Sequence, residues 1–209
     1  MYYLTQSLLS SWRHLMDADE AYADTAYAEF LDTLHLIKKE KTKAMQAGID
    51  FEAAVNTIVD GGIPEPVNEK WDKAVRRIAR ICMGGQAQVP VSGTLSVCGM
   101  DFGVYGLCDY VKAGTIYDIK KVTSYEYGKY LNSPQHPMYM TLCPEARKFT
   151  YLIFDGSNVY TETYRRGDFR PIEDTVTSFL RWLYETENLE DYKKYWSMTE
   201  ERKNKVYGI

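Results

Sequence analysis

A chain of 209 residues and 24.2 kDa, 45% hydrophobic and 14% aromatic, carries the material for one domain with its own core and not for a multidomain machine. With 25 Lys and Arg against 29 Asp and Glu, its net charge of −4 excludes bulk electrostatic adhesion to nucleic acid or anionic lipid, while leaving room for a local basic surface. Four cysteines without a Cys-x-x-Cys pair argue against a disulfide framework, a zinc knuckle or a cysteine-ligated cluster, and no stretch approaches the about 18 apolar residues of a bilayer span. A cytoplasmic protein with reduced thiols and no membrane partner is expected.

The first part, to about Gly85, reads helical, with apolar residues recurring at three and four. Gly61-Gly62-Ile63-Pro64-Glu65-Pro66 ends one helix and Gly84-Gly85 the next, because Gly weakens a helix and Pro cannot continue one. Between them, Trp71, Ala74, Val75, Ile78, Ala79 and Cys82 share one face of an amphipathic helix over Asn68 to Met83. From Gln88 the period shortens to two. Val89, Val91, Leu95 and Val97, then Met100, Phe102 and Val104, then Tyr110, then Ile116 to Ile119 predict short strands separated by Gly turns, a β-meander.

A polar, aromatic stretch from Ser124 to Asn132 precedes a helix over Pro134 to Leu142, with Ser133 as its N-cap. Strands follow at Lys148 to Phe154 and Asn158 to Arg165, joined by the hairpin signal Asp155-Gly156-Ser157. Helices over Ile172 to Glu185 and Leu189 to Lys205 close the chain. The order of elements predicts a single α/β domain over 1–209 with a mixed central sheet flanked by helices: a helical part to about 85, a sheet and core over about 86–165, and C-terminal helices over about 170–205. The basic runs Lys38 to Lys43, Arg76 to Arg80, Arg165-Arg166 and Arg202-Lys203 read as solvated faces.

Phosphate-binding glycine loops, a nucleophile elbow and a His-Glu-x-x-His pair are all missing, and His14, His35 and His136 are scattered. Carboxylates, one lysine and a Gln/Tyr pair remain. On a strand over Thr115 to Lys121, period-two geometry places Asp118 and Lys120 on one face and Tyr117 and Ile119 on the other. Antiparallel pairing through a turn at Ala113-Gly114 brings Asp109, in Gly106-Leu-Cys-Asp109, toward Asp118. Adjacent carboxylates repel unless a cation separates them, so a hard divalent ion such as Mg²⁺ is the natural guest, with Lys120 placed to orient a water or neutralise charge on a phosphate. Glu52, at the edge of the Phe51/Val55 stripe in Gly48-Ile-Asp-Phe-Glu52, is positioned to reach over the sheet as a third carboxylate. Gln135 and Tyr139, four apart, share a helix face and can contact one substrate backbone. His136 reads as structural or substrate-adjacent.

The series Gly-x-x-x-Glu52, Gly-x-x-Asp109, Asp118-Ile-Lys120 and Gln135-x-x-x-Tyr139, in this order, resembles the PD-(D/E)xK nuclease superfamily. Its nearest likeness is to the branch of RecB-type domains, CRISPR-associated RecB-like exonucleases and phage lambda-type exonucleases. The opening Leu4-Thr-Gln-Ser7-Leu-Leu-Ser10-Ser11-Trp12 is similar to the serine-containing helix start of RecB-like members. The chain departs from the pattern in three places: no Pro precedes Asp109, the second acid is Asp118 where Glu is commoner, and Glu52 stands where many members carry His.

The resemblance implies a restriction-endonuclease-like core and a Mg²⁺- or Mn²⁺-dependent DNA nuclease, an exonuclease of phage-type recombination or repair. Glu52, Asp109, Asp118 and the main-chain carbonyl of Ile119 would hold the ion, Lys120 would position the attacking water, and Gln135 and Tyr139 would orient the strand. Linear duplex or single-stranded DNA is the implied partner, with a homo-oligomer and a single-strand annealing protein as implied assemblies. Cys82, Cys98, Cys108 and Cys143 do not match the iron–sulfur arrangement of some members, so no cluster is expected. The alternative is a catalytically inactive nucleic-acid- or protein-binding module of the same fold.

Overall fold

The computed structural model describes residues 1–208, which form β1 (Tyr2–Leu4), α1 (Gln6–Met16), α2 (Ala23–Leu34), α3 (Lys43–Val59), α4 (Glu69–Cys82), β2 (Gln86–Val97), β3 (Met100–Lys112), β4 (Thr115–Lys121), α5 (Gln135–Leu142), β5 (Lys148–Phe154), β6 (Val159–Arg165), α6 (Ile172–Glu185), α7 (Leu189–Tyr195) and α8 (Glu200–Tyr207). The strands make one mixed sheet in the order β1-β3-β4-β5-β6, with β2 paired to β3. β1 runs parallel to β3 and β4 parallel to β5, and the other pairs are antiparallel. The architecture is the expected α/β sheet flanked by helices.

Alternation along β5 shows how the sheet is sandwiched. Phe149, Tyr151 and Ile153 join the core that packs Leu8, Leu9 and Trp12 of α1 and Phe179 of α6, whereas Leu152 and Phe154 face Phe51 and Val55 of α3 and Trp71, Val75 and Ile78 of α4. The α4 face matches the sequence reading, and its N-cap Asn68 accepts from Trp71 N at 3.0 Å. No helix among the described residues is long and apolar enough to cross a membrane.

Four expectations need correction. The helical N-terminal part opens on a strand, because Tyr2 to Leu4 pair with Phe102 to Val104, a stretch too short to show a period. The short strands of the meander are instead two long ones, β2 and β3. Only Cys98-Gly99 and Ala113-Gly114 turn the chain, each pair with both φ positive (51° and 74°, 49° and 73°), which matches the right-handed twist of the flanking strands.

Gly93, Gly103 and Gly106 lie inside strands because neighbours press on them. A Cβ on Gly103 would stand 2.1 Å from Met198 Cε, and one on Gly106 2.5 Å from the Tyr139 ring. The helix expected over Leu189 to Lys205 breaks at Trp196, where Arg202 Nη1 donates to the Tyr195 and Ser197 carbonyls at 2.9 and 2.6 Å and Thr199 caps α8. Finally, α5 begins at Gln135 with Pro134 at its N-cap, and the Ser133 hydroxyl accepts from Gln135 N at 3.2 Å.

Two of the basic runs also have structural members. Arg166 donates to the carbonyls of Met140, Cys143, Pro144 and Ala146, tying the end of α5 to β6, and Arg202 lies over the rings of Tyr3 and Trp196. Arg76, Arg77 and Arg80 are exposed on α4, as the pattern predicts.

Candidate active site

The β3–β4 hairpin is paired at Lys112–Thr115, Val111–Ile116 and Tyr110–Tyr117, and the next positions are Asp109 and Asp118. There the strands part. β4 turns to pair along its whole length with β5, while the same edge of β3 is taken up farther along by β1. The N–H of Ile119, freed from the ladder, donates to Asp109 Oδ2 at 2.7 Å. On its other side β3 skips a rung to β2 at the same residue, where Gln88 adopts a φ of 51°. Asp109 thus sits where both ladders open, a local break of the kind found beside active sites.

Asp118, 4% exposed, receives Gln135 Nε2 on Oδ1 at 2.5 Å and faces the Lys120 ammonium with Oδ2 at 2.7 Å. That second contact is an ion pair, and no other donor reaches Oδ2, which is buried. Tyr117 and Ile119 point to the opposite face, against α3 and α4, as period-two geometry predicts. Glu52 reaches the cluster from α3, held by Gln88 Nε2 at 2.9 Å.

The charge of Asp118 acts on both of the other carboxylates. Burial, then Asp118, then Glu52 push the Asp109 carboxyl up to about 8. Glu52 is likewise raised by burial and by Asp118. Burial works against the Lys120 ammonium and is the largest single effect, but the charge and the hydrogen-bonding contact of Asp118, with Asp109 behind them, together hold its pKa above the ordinary lysine value. The carboxylates are not closed into a ligand cage: Asp118 is occupied by Gln135 and Lys120, Asp109 by Ile119, and Glu52 by Gln88. As a donor set they still fit a hard divalent cation, since three oxygen ligands of like charge, one of them protonated near neutrality, lack only the positive charge that would let all ionise.

Gln135 and Tyr139 share one face of α5, as expected, and that face looks onto the sheet. The Tyr139 ring covers Gly106, and burial, then Asp118, push its hydroxyl up to about 12. The glycine of Gly106-x-x-Asp109 therefore serves as the floor under this tyrosine. His136 is buried, stacked on Tyr164 at 4.1 Å, and its imidazole is pushed down to about 4 by burial.

Three further residues were not singled out in the sequence. Gln88 orients Glu52, and nothing in its context announces the left-handed turn. Glu162, 2% exposed, accepts from Tyr125 Oη at 2.6 Å, from Tyr130 N at 3.1 Å and from the Tyr164 hydroxyl. Its period-two phase with Tyr160 and Tyr164 is a signal that it points inward. Tyr130, pinned by Glu162, stacks on Tyr151 at 4.3 Å, near enough to Lys120 and Asp118 to feel both charges. The segment from Ser124 to Asn132 is in this way clamped beside Lys120. A groove of about 400 Å³ is lined by Arg13, Asp17, Lys120, Lys129, Tyr130 and Gln135, so that Lys120 and Gln135 of the site reach it while the three carboxylates do not line it.

The pH dependence of stability follows from Asp109. Its native carboxyl titrates near 8, far above an unfolded aspartate, so between about pH 4 and 8 the native state holds a proton that the unfolded chain has lost, and stability falls as pH rises through that window. In EDTA, the melting temperature of the wild-type protein is expected to decline from pH 5 to pH 8, and Asp109→Asn to flatten that decline and melt higher than wild type at pH 8.

No family model matches the sequence, and no curated protein does. Among solved structures, the chain is similar to SSO0001, at 14% identity and a TM-score of 0.45 over 90% of this chain and 82% of that one. It is also similar to Rai1 of Scheffersomyces stipitis, at 13% identity and a TM-score of 0.30 over 96% of this chain and 62% of that one. At these scores neither likeness bears on what the chain does.

Proposed function

We propose that the chain is a divalent-metal-dependent deoxyribonuclease with a PD-(D/E)xK-type centre, hydrolysing phosphodiester bonds of DNA. The observation that carries the reading is the placement of Asp118, ion-paired to Lys120 at 2.7 Å, near Asp109 and Glu52, whose carboxyls its charge raises, on the residues that the motif series names. Mg²⁺ or Mn²⁺ would be held by these carboxylates with the Ile119 carbonyl. When bound, such an ion supplies Lewis-acid polarisation of the phosphoryl oxygen and acidifies the attacking water.

The chain's own groups do the rest. Lys120, kept protonated by Asp118, presents a fixed positive charge beside the reacting phosphate and orients the water. Gln135, whose amide already bonds Asp118, fixes that carboxylate's rotamer and presents α5 to the strand. Lys129 and Lys120 supply positive charge along the groove for the strand, where Arg13 is already paired with Asp17. An exonuclease role in phage-type recombination or repair, with a homo-oligomer and a single-strand annealing partner, rests on the motif resemblance alone.

The test is cleavage of linear DNA with Mg²⁺ or Mn²⁺. Wild-type cleavage that EDTA abolishes, and a fall of roughly 10²-fold in Lys120→Ala, are expected. Cleavage that survives EDTA, or that is unchanged in the variant, would overturn the assignment.

A further inference from the structure

Four tyrosines gather around Glu162 and Tyr151, and three of their hydroxyls are engaged inside the protein. Tyr125 and Tyr164 donate to Glu162, and the Tyr151 hydroxyl stands 3.1 Å from His136 Nδ1. The fourth, Tyr130, meets Glu162 only through its backbone N–H, and among the described residues its hydroxyl has no hydrogen-bond partner.

The Tyr130 ring is held firmly all the same. It stacks on Tyr151 with ring centres 4.3 Å apart and planes 19° from parallel, and the bond from its N–H to Glu162 fixes the backbone that carries it. Tyr130 is half-buried and lines the groove together with Lys120 and Gln135. Lys120 rests on the same support, with its ammonium 6.0 Å from the centre of the Tyr151 ring. Burial raises the Tyr130 phenol, the Lys120 charge opposes that and Asp118 adds to it, and the balance lies at about 12. At neutral pH the group therefore keeps its proton and can donate.

Charge decides what it would donate to. Arg13 and Asp17, both lining the groove, neutralise each other at 2.8 Å, which leaves Lys120 and Lys129 to set the sign of the lining. A free O–H donor beside an ammonium suits an oxygen that carries negative charge, because such an oxygen gains from both groups at once. The edge of a neutral base would use the hydroxyl but gain little from the ammonium.

We propose that the Tyr130 hydroxyl donates to a non-bridging oxygen of the phosphate that Lys120 faces, which makes Tyr130 a substrate-contacting residue of this site. The proposal rests on the nucleic-acid reading above and deepens it with a residue outside the motif series. A contact of this kind fixes the position of the strand without reading its sequence.

The experiment compares the wild-type protein with Tyr130→Phe, which keeps the ring and the N–H bond to Glu162 and removes one hydroxyl. Binding is measured in EDTA, where metal-dependent cleavage does not consume the probe, with a short single-stranded oligodeoxynucleotide and with the same backbone made fully abasic. Cleavage of linear DNA is measured with Mn²⁺. Tyr130→Phe is expected to bind both probes about tenfold more weakly and to cut DNA at least tenfold more slowly, with an unchanged melting temperature. The salt dependence of its binding should match wild type, because no charge is lost, whereas Lys120→Ala should lower that slope by about one.

If Tyr130→Phe binds both probes and cuts DNA as wild type does, the contact is overturned and the nuclease reading stands. Weakening confined to the base-bearing probe assigns the hydroxyl to a base, and weakening accompanied by a melting temperature more than about 2 °C lower makes its role structural; either overturns the contact. If both probes bind more weakly as expected but the wild-type protein cuts no DNA with Mg²⁺ or Mn²⁺, the contact stands and the nuclease reading falls. Absence of any oligonucleotide binding by the wild-type protein overturns both.

Discussion

Asp118→Asn is expected to lower metal-dependent DNA cleavage by roughly 10²–10³-fold with the protein still folded, measured as single turnover on linear DNA with Mg²⁺ or Mn²⁺. Asp118 is the residue through which the site is joined: Gln135 holds one of its oxygens, Lys120 faces the other, and its charge helps push the Asp109 carboxyl up to about 8. The amide keeps the side chain's shape but removes the charge, so cation affinity and the anchoring of the ammonium are lost together. Loss of one member of a repelling trio also relieves Asp109, which offsets the missing ion pair with Lys120 and keeps the melting temperature close to that of wild type. Cleavage within about threefold of wild type would remove Asp118 from the mechanism.

The largest expected effect on stability belongs to a residue outside the motif series. Glu162→Ala leaves two tyrosine hydroxyls and the Tyr130 N–H without their shared acceptor in a buried site. Orphaned buried donors cost about 1–3 kcal/mol each, so a total of about 3 kcal/mol or more is expected even after partial relaxation. For a chain of this size that corresponds to a fall of roughly 6–12 °C in melting temperature. Because the same carboxylate pins Tyr130 beside Lys120, cleavage assayed below the lowered melting point should also fall, whereas a purely distant stabiliser would leave it unchanged. A melting temperature within about 2 °C of wild type would show that the Ser124 to Asn132 segment does not depend on Glu162.

What was legible in the sequence follows the range of each signal. The apolar stripe of α4 and the limits of α4, β5 and α6 were set by local periodicity and by Gly and Pro breaks, and the structure has them there or within a residue. Asp118 and Lys120 on one face of β4, opposite Tyr117 and Ile119, followed from the two-residue period alone. The features that were hidden depend on partners distant in the chain. Gly103 and Gly106 looked like turns because nothing nearby shows that Met198 and Tyr139 will lie on them. β1 is a strand only because β3 offers it an edge, and the break between α7 and α8 exists because Arg202 folds back on Tyr195 and Ser197. Gln88 was silent for the same reason: its contact with Glu52 spans 36 positions and needs a positive φ that its own residue type does not favour.

The central claim is that Glu52, Asp109 and Asp118 share one hard cation, and calorimetric titration of Mn²⁺ into the protein at pH 7, repeated in buffers of different ionisation enthalpy, tests it most directly. Since pH 7 lies below the Asp109 value of about 8, that carboxyl must shed its proton as the ion arrives. The prediction is saturable binding with net proton release, both lost in Asp118→Asn. No Mn²⁺ binding by the wild-type protein, or binding that the substitution leaves intact, would contradict it.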